Sequence, residues 1–140
     1  MPHPIAKKDF PVTNVRHFLE PGPIVLVSSQ WQQQTNIMTM GWHMVMAFSP
    51  SLLGCVIDAG NHSHALVCNS GECVINIPSS SLVDKVVGIG NCSGSELDKF
   101  KAFELTPGKS EKVKAPRIEE CYASFECRLH DDAMIERYNF

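Results

Sequence analysis

The stretch that decides the fold is residues 35–48, which read TNIMTMGWHMVMAF. Its even-numbered positions carry large side chains and its odd-numbered positions mostly smaller ones, which is the two-residue period of a β-strand. Methionine also favours helices, but the flanking Thr, Asn, Gly and Ser-Pro residues argue against a helix. Strands usually have ~5–6 residues, so a run of this length predicts a bend at Gly41. One bent strand that serves two sides is typical of a small barrel.

Further apolar and β-branched runs predict other strands. They lie at residues 24–29, 52–58, 72–77 and 122–129, and residues 134–140 are typical of the start of another strand. Ser and Asn caps predict short helices at residues 64–69, at 79–87 and, behind Ser95, at 96–103, with a loop at 88–94. This order favours a mainly-β antiparallel barrel with short peripheral helices over a βαβ fold.

Length and charge bound the function classes. The 140 residues predict a single domain, with residues 1–20 as an N-terminal arm. A net charge of −3 excludes a nucleic-acid binder that works by broad phosphate neutralisation. No run approaches the ~20 apolar residues of a membrane span, and the N-terminus lacks the apolar core of a secretory signal. We therefore expect a cytoplasmic protein with neither nucleic-acid nor membrane partners.

The six cysteines lack C-x-x-C spacing, and most lie in apolar runs. This pattern is typical of small buried hydrophobic residues in a reducing cytoplasm. A zinc site or a disulfide framework is the less favoured alternative.

Two classes of catalytic site find little support. No G-x-S-x-G elbow accompanies the many serines, so a serine hydrolase is not indicated. Asp58, His62 and His64 could bind a metal. However, His62 and His64 would point to opposite faces of a strand, and no third ligand has helical spacing. The Met-rich face with Trp42 indicates either core packing or a surface for a flat aromatic cofactor or a partner subunit.

An anion site has more support. Residues 88–95, GIGNCSGS, place small residues and backbone N–H groups just before a predicted helix that contains Lys99. Residues 61–63, NHS, form a second predicted helix start. Helix starts bind anions because their first N–H groups are unpaired. Ordinary helix caps are the alternative interpretation, since the glycine spacing matches neither a Walker A loop nor a dinucleotide-binding fingerprint.

Several short segments together resemble the flavin reductase-like family with an FMN-binding split barrel, in particular its flavoredoxin-like branch. They are NIMTMGW at 36–42, FSP at 48–50, NHS at 61–63, CVINIP at 73–78, NCSGSELDKF at 91–100 and ECRL at 126–129. The resemblance implies a six-stranded Greek-key barrel and a homodimer with FMN near the subunit interface. Members of the family continue beyond the ECRL strand, so the C-terminal part of the domain is expected to be missing here.

The resemblance also implies a cofactor site but no catalytic residue, because FMN itself carries the redox chemistry. The implied FMN-binding residues are Asn36, Met38, Thr39 and Trp42 along the flavin, His62 and Ser63 on its ribityl-phosphate side, and Asn91, Ser93, Ser95 and Lys99 at the phosphate. NAD(P)H or a redox protein partner would supply hydride or electrons to this oxidoreductase. The alternatives are an FMN-binding electron carrier without NAD(P)H turnover and a barrel that has lost flavin.

Overall fold

The structure is a computed structural model that describes residues 6–19 and 22–140. Within the predicted arm, a 3₁₀ turn at Val12–Asn14 precedes a short helix α1 at Arg16–Leu19. Residues 1–5 and 20 of that arm lie outside the described residues. None of the described helices has the length and apolar content that a bilayer crossing requires.

The stretch at residues 35–48 forms two strands. β1 (Val25–Trp31) runs antiparallel to β2 (Gln34–Met40), and β3 (His43–Phe48) forms a separate hairpin with β4 (Ser51–Cys55). The bend predicted at Gly41 is therefore confirmed. A side chain there would meet Ile24, since a Cβ would lie 3.1 Å from Ile24 Cδ1.

β1 and β2 belong to a four-stranded antiparallel sheet that two later strands complete, β5 (Glu72–Ile77) and β8 (Ala123–Arg128), in the order β2-β1-β5-β8. The remaining elements are α2 (His62–Ser70), α3 (Val83–Gly90), α4 (Lys99–Ala102), the short pair β6 (Pro107–Gly108) and β7 (Arg117–Ile118), and α5 (Ala133–Tyr138). The mainly-β, antiparallel prediction is confirmed.

The two faces of the sheet carry separate cores. Leu26 and Ile37 face α3 and α4 and pack with Ile89 and Phe100. The opposite face holds a second buried cluster made of Val25, Val27, Met38, Met40 and Ile75. Because neighbouring residues of a strand point to opposite faces, β2 contributes to both cores at once.

A fully buried side chain, Asn76, joins the sheet to the segment that follows β6. Its amide nitrogen donates to Leu26 O at 3.1 Å and to Ser28 Oγ at 3.0 Å. Its amide oxygen accepts from Ile118 N and from Ser124 Oγ, both at 2.9 Å. Buried polar groups of this kind are stable only when their hydrogen bonds are made, so Asn76 fixes the position of β7 against β5.

The predictions for residues 88–94, 96–103 and 134–140 were wrong. The loop expected at residues 88–94 begins only after α3, which continues through Gly88 and Gly90. A side chain at Gly88 would overlap the Phe103 ring, and one at Gly90 would contact Thr39. These glycines therefore serve close packing inside a helix rather than a flexible turn.

The helix expected at residues 96–103 behind Ser95 is a single turn, α4, capped by Asp98. The Ser93 and Ser95 hydroxyls lie 2.7 Å apart and Ser95 N donates to Ser93 Oγ, so the serines form a turn of their own. The strand expected at 134–140 is helix α5.

Candidate functional site

A buried cation without a carboxylate partner lies at the start of α4. Lys99 is 4% exposed, and its Nζ donates to Ile89 O at 2.9 Å. Within residues 6–19 and 22–140, no carboxylate forms an ion pair with it. Burial lowers the pKa of Lys99, because the charged form loses its water. Buried charges are normally paired, so this position favours an anionic ligand.

A buried acceptor without a donor lies on β2, close to the same place. Asn36 is 1% exposed, and its Nδ2 donates to Ser63 Oγ at 2.8 Å. Its Oδ1 has no hydrogen-bond partner in the described part of the chain. Gly94 lies so close that a Cβ there would overlap this oxygen. Unpaired buried oxygens are rare in folded proteins, which marks Asn36 as a group available to a ligand.

The N-terminus of α2 forms a third wall. Asn61 caps the helix, since its side-chain oxygen accepts from Ser63 N at 2.9 Å. This confirms the predicted cap, although the helix begins at His62 rather than at His64. The first turn of α2 adds the positive end of a helix dipole to the electrostatics of the site.

These three walls enclose a cavity of about 200 Å³. It is lined by Asn36, Gly60, Asn61, His62, Cys92, Ser93, Gly94 and Lys99. Four of the predicted site residues thus meet here, although they come from β2, α2 and the segment before α4. Gly60, Asn61, Cys92 and Gly94 were not among the predicted ligand contacts. Asn61, Cys92 and Gly94 lie in the same NHS and NCSG segments, and Gly60 directly precedes the first of them. In both segments a glycine or cysteine beside a polar residue permits close approach.

Ser63 lies beneath the cavity and holds Asn36 in place. Thr39 is turned towards α3, where its hydroxyl donates to Val86 O at 2.6 Å. Met38 is buried in the second core, on the other side of β2. Neither Met38 nor Thr39 lines the cavity, because Met38 packs in the second core and the Thr39 hydroxyl is bonded to α3.

The remaining predicted residues lie outside the cavity. Asn91 is exposed and follows α3, where its Nδ2 donates to Val87 O at 2.8 Å. Ser95 is exposed beside Ser93. Trp42 is 51% exposed between β2 and β3. The alternative metal site is not assembled either: no group of three or more His, Cys, Asp or Glu side chains in the described residues could hold a metal ion.

The chain matches the family model of the flavin reductase like domain over residues 16–139. An uncharacterized protein from Archaeoglobus fulgidus is 36% identical over 118 residues, covering 84% of this chain and 66% of the relative. Flavoredoxin from Methanosarcina acetivorans is 30% identical with a TM-score of 0.75, covering 88% of this chain and 64% of that chain.

An FMN-binding domain of a flavin reductases-like enzyme from Shewanella baltica has a TM-score of 0.79 at 23% identity. The superposition covers 93% of this chain and 69% of that chain. The predicted split-barrel fold is confirmed by this likeness. This chain spans about two thirds of the length of each of these three proteins.

Proposed function

Since the chain belongs to the family of the flavin reductase like domain, we propose that it binds FMN in the cavity between Asn36 and Lys99. In this role it is an oxidoreductase that takes hydride from NAD(P)H, or electrons from a redox protein, and passes them on. The observation that carries the proposal is the buried Lys99 ammonium group, which has no carboxylate partner in the described residues.

The residues at the cavity fit a phosphate ester. Lys99 supplies a positive charge, and Ser93 supplies a hydroxyl beside it. His62 and the first turn of α2 lie opposite. Hydrogen bonds between a charged donor and a phosphate oxygen are roughly twice as strong as neutral ones. A phosphate would therefore offset the unfavourable burial of the ammonium group.

Asn36 fits the polar chain or the ring edge of the same ligand. Its unpaired Oδ1 can accept from a ribityl hydroxyl or a flavin N–H. Ser63 fixes the amide by accepting from Nδ2. Bound FMN supplies the two-electron chemistry of its ring, so no protein nucleophile is required.

The other predicted site residues support the site indirectly in this proposal. Met38 and Thr39 fix the two faces of β2. Asn91 caps α3, and Ser95 holds the turn that carries Ser93. Trp42, half exposed next to Gly41, offers an aromatic surface for the flavin ring.

A titration of the purified protein with FMN, followed by flavin fluorescence and the visible spectrum, tests the proposal. We expect binding, and we expect Lys99→Met to weaken it by about 10- to 150-fold, the effect of losing a charge-assisted hydrogen bond of about 1.5–3 kcal/mol. Lys101→Met is the matched control, because the Lys101 side chain is 86% exposed and pairs with Asp98. Absence of binding to the unmodified chain refutes the proposal.

The second candidate is an FMN-binding electron carrier without NAD(P)H turnover. It is favoured by the 30% identity to a flavoredoxin and by the absence of a dinucleotide-binding fingerprint in the sequence. Oxidation of NADH and NADPH in the presence of FMN separates the two: steady turnover excludes the pure carrier, and FMN binding without turnover supports it. Normal folding without FMN affinity would instead indicate a barrel that has lost flavin.

We also propose that the chain forms a homodimer through the β3–β4 hairpin, with the flavin near the interface. This hairpin exposes several large apolar side chains: Met44 (61%), Val45 (63%), Met46 (64%) and Phe48 (89%). Contiguous apolar surface of this kind is typical of interaction sites. All six cysteines are free thiols, which fits the cytoplasm proposed as its compartment.

Sedimentation velocity tests the dimer. We expect the unmodified protein to sediment as a dimer and Phe48→Glu to sediment as a monomer, because the dimer would bury the new carboxylate at its interface. Val87→Glu is the control, since Val87 is a 57% exposed apolar residue on α3, away from the hairpin. A Phe48→Glu protein that remains dimeric would place the interface elsewhere.

A further inference from the structure

Two cysteines lie directly opposite one another in the sheet. The register of β5 and β8 pairs Cys73 with Cys127. Directly opposed residues of antiparallel strands have Cα atoms about 4.5–5.5 Å apart, which falls within the usual disulfide range of about 4.4–6.8 Å. Both side chains lie on the face that carries the second core. The backbone therefore already holds this pair at bonding distance.

The two thiols are hydrogen-bonded to each other. Cys73 donates to the sulfur of Cys127, and Cys127 Sγ lies 3.4 Å from Phe125 O as a donor. Accepting this hydrogen bond lowers the pKa of Cys127, whereas donating it, together with burial, raises the pKa of Cys73. Cys127 is thus the better nucleophile of the pair, whereas Cys73 stays protonated.

We propose that Cys73 and Cys127 form a redox-active dithiol that closes reversibly to a disulfide by exchange with small disulfide compounds. The Cys127 thiolate attacks one sulfur of the compound RSSR, which forms a mixed disulfide and releases RS⁻. The Cys73 thiol passes its proton to RS⁻ and attacks the Cys127 sulfur, which releases the second RS⁻. The second RS⁻ takes up the proton that Cys127 released to solvent when it became a thiolate. In total, two thiols lose two electrons and two protons, and RSSR becomes two RSH.

Cys55 on β4 is the competing partner. Its thiol interacts electrostatically with both thiols of the pair, but it lies on the β3–β4 hairpin, outside the four-stranded sheet. Only Cys73 is held opposite Cys127 by a ladder of hydrogen bonds on either side. The site is independent of the flavin cavity, since none of these three cysteines lines it.

Thiol mapping of the full chain tests the proposal. The protein is equilibrated with oxidised and reduced glutathione, quenched in acid, alkylated, cut with trypsin and analysed by mass spectrometry. We expect a disulfide between the peptides 17–85 and 118–128, with loss of two hydrogens, that disappears after dithiothreitol. The link should vanish in Cys73→Ala, where Cys127 should instead retain glutathione as a stalled mixed disulfide.

Cys121→Ala and Cys55→Ala are the matched controls, because each removes a competing thiol from one of the two linked peptides. The link is expected to persist in both. Two results overturn the proposal: free Cys73 and Cys127 thiols in the unmodified protein at every glutathione ratio, or a link that survives Cys73→Ala. Far-UV circular dichroism verifies that each variant is folded, and the measurement on the unmodified chain needs no variant.

Discussion

Replacing Lys99 by Met asks whether the buried ammonium group serves a ligand rather than the fold. Lys99 is 4% exposed, and its Nζ donates a hydrogen bond to Ile89 O. Methionine keeps the length of the side chain and removes the charge. In the FMN-free protein, the substitution should therefore remove an unfavourable burial instead of a favourable contact.

Two opposing contributions set the change in the free energy of unfolding that Lys99→Met should cause. Replacing even a buried ion pair by apolar groups of similar volume is often stabilising by about 1–4 kcal/mol, and Lys99 has no carboxylate partner in the described residues. Loss of the hydrogen bond to Ile89 O costs about 1 kcal/mol. We therefore expect the free energy of unfolding of the FMN-free protein to rise by about 1–2 kcal/mol in Lys99→Met, while FMN binding weakens.

The free energy of unfolding of the FMN-free protein should depend on pH in a definite direction. Burial makes the pKa of Lys99 lower in the folded than in the unfolded state, so the unfolded chain binds more protons between the two values. The unmodified FMN-free protein should gain stability as the pH rises through the folded-state pKa, and Lys99→Met should lack this gain.

Urea unfolding of the FMN-free proteins, followed by circular dichroism at neutral and alkaline pH, measures both effects. Lys101→Met controls for the loss of a positive charge, since Lys101 is exposed. A Lys99→Met protein that is less stable than the unmodified chain by more than ~1 kcal/mol would show that the ammonium group supports the fold. The ligand argument would then be refuted.

Three further substitutions test other contacts of the structure. Asn76→Ala should lower the free energy of unfolding by about 2–4 kcal/mol, because Ile118 N–H loses its buried acceptor; urea unfolding measures this, and the exposed Asn69→Ala should change it by less than ~0.5 kcal/mol. Gly94→Ala should weaken FMN binding at least tenfold, about 1.4 kcal/mol, because the methyl group would overlap the Asn36 amide and displace it from the cavity wall; unchanged affinity in a fluorescence titration would contradict this. Glu126→Gln should reduce the fall of the urea midpoint that the unmodified protein shows below about pH 4.5. Backbone N–H groups lower the pKa of Glu126, so the stabilisation by its carboxylate is lost as the pH falls through the folded-state pKa. An equal fall in the variant would contradict this role of Glu126.

The strands and the α2 cap could be predicted because local sequence determines them. β5 alternates between sheet faces and ends before Pro78, and Asn61 followed by Gly71 marks both ends of α2. These signals are short-range, and tertiary packing does not override them.

The wrong predictions concern segments whose secondary structure depends on contacts with residues distant in the sequence. Gly88 and Gly90 indicate a loop by composition, yet they are helical because Phe103 and Thr39 pack against them. Residues 96–98 were expected in a helix, but the serine turn and the Asp98 cap delay its start. No local pattern reveals that the Asn36 amide and the Lys99 ammonium group line one cavity, since 62 residues lie between them in the sequence.

The cavity lies where three segments of the chain that are far apart in sequence meet. A molecule held by all three joins β2, α2 and the segment before α4 as a crosslink would, although no covalent bond is made. A ligand at one hundred times its dissociation constant adds about 2.7 kcal/mol to the free energy of unfolding, a large share of the 5–15 kcal/mol typical of a domain. FMN bound as proposed would therefore lower the unfolded fraction of the chain about 100-fold at that concentration, and with it the fraction open to cellular proteases.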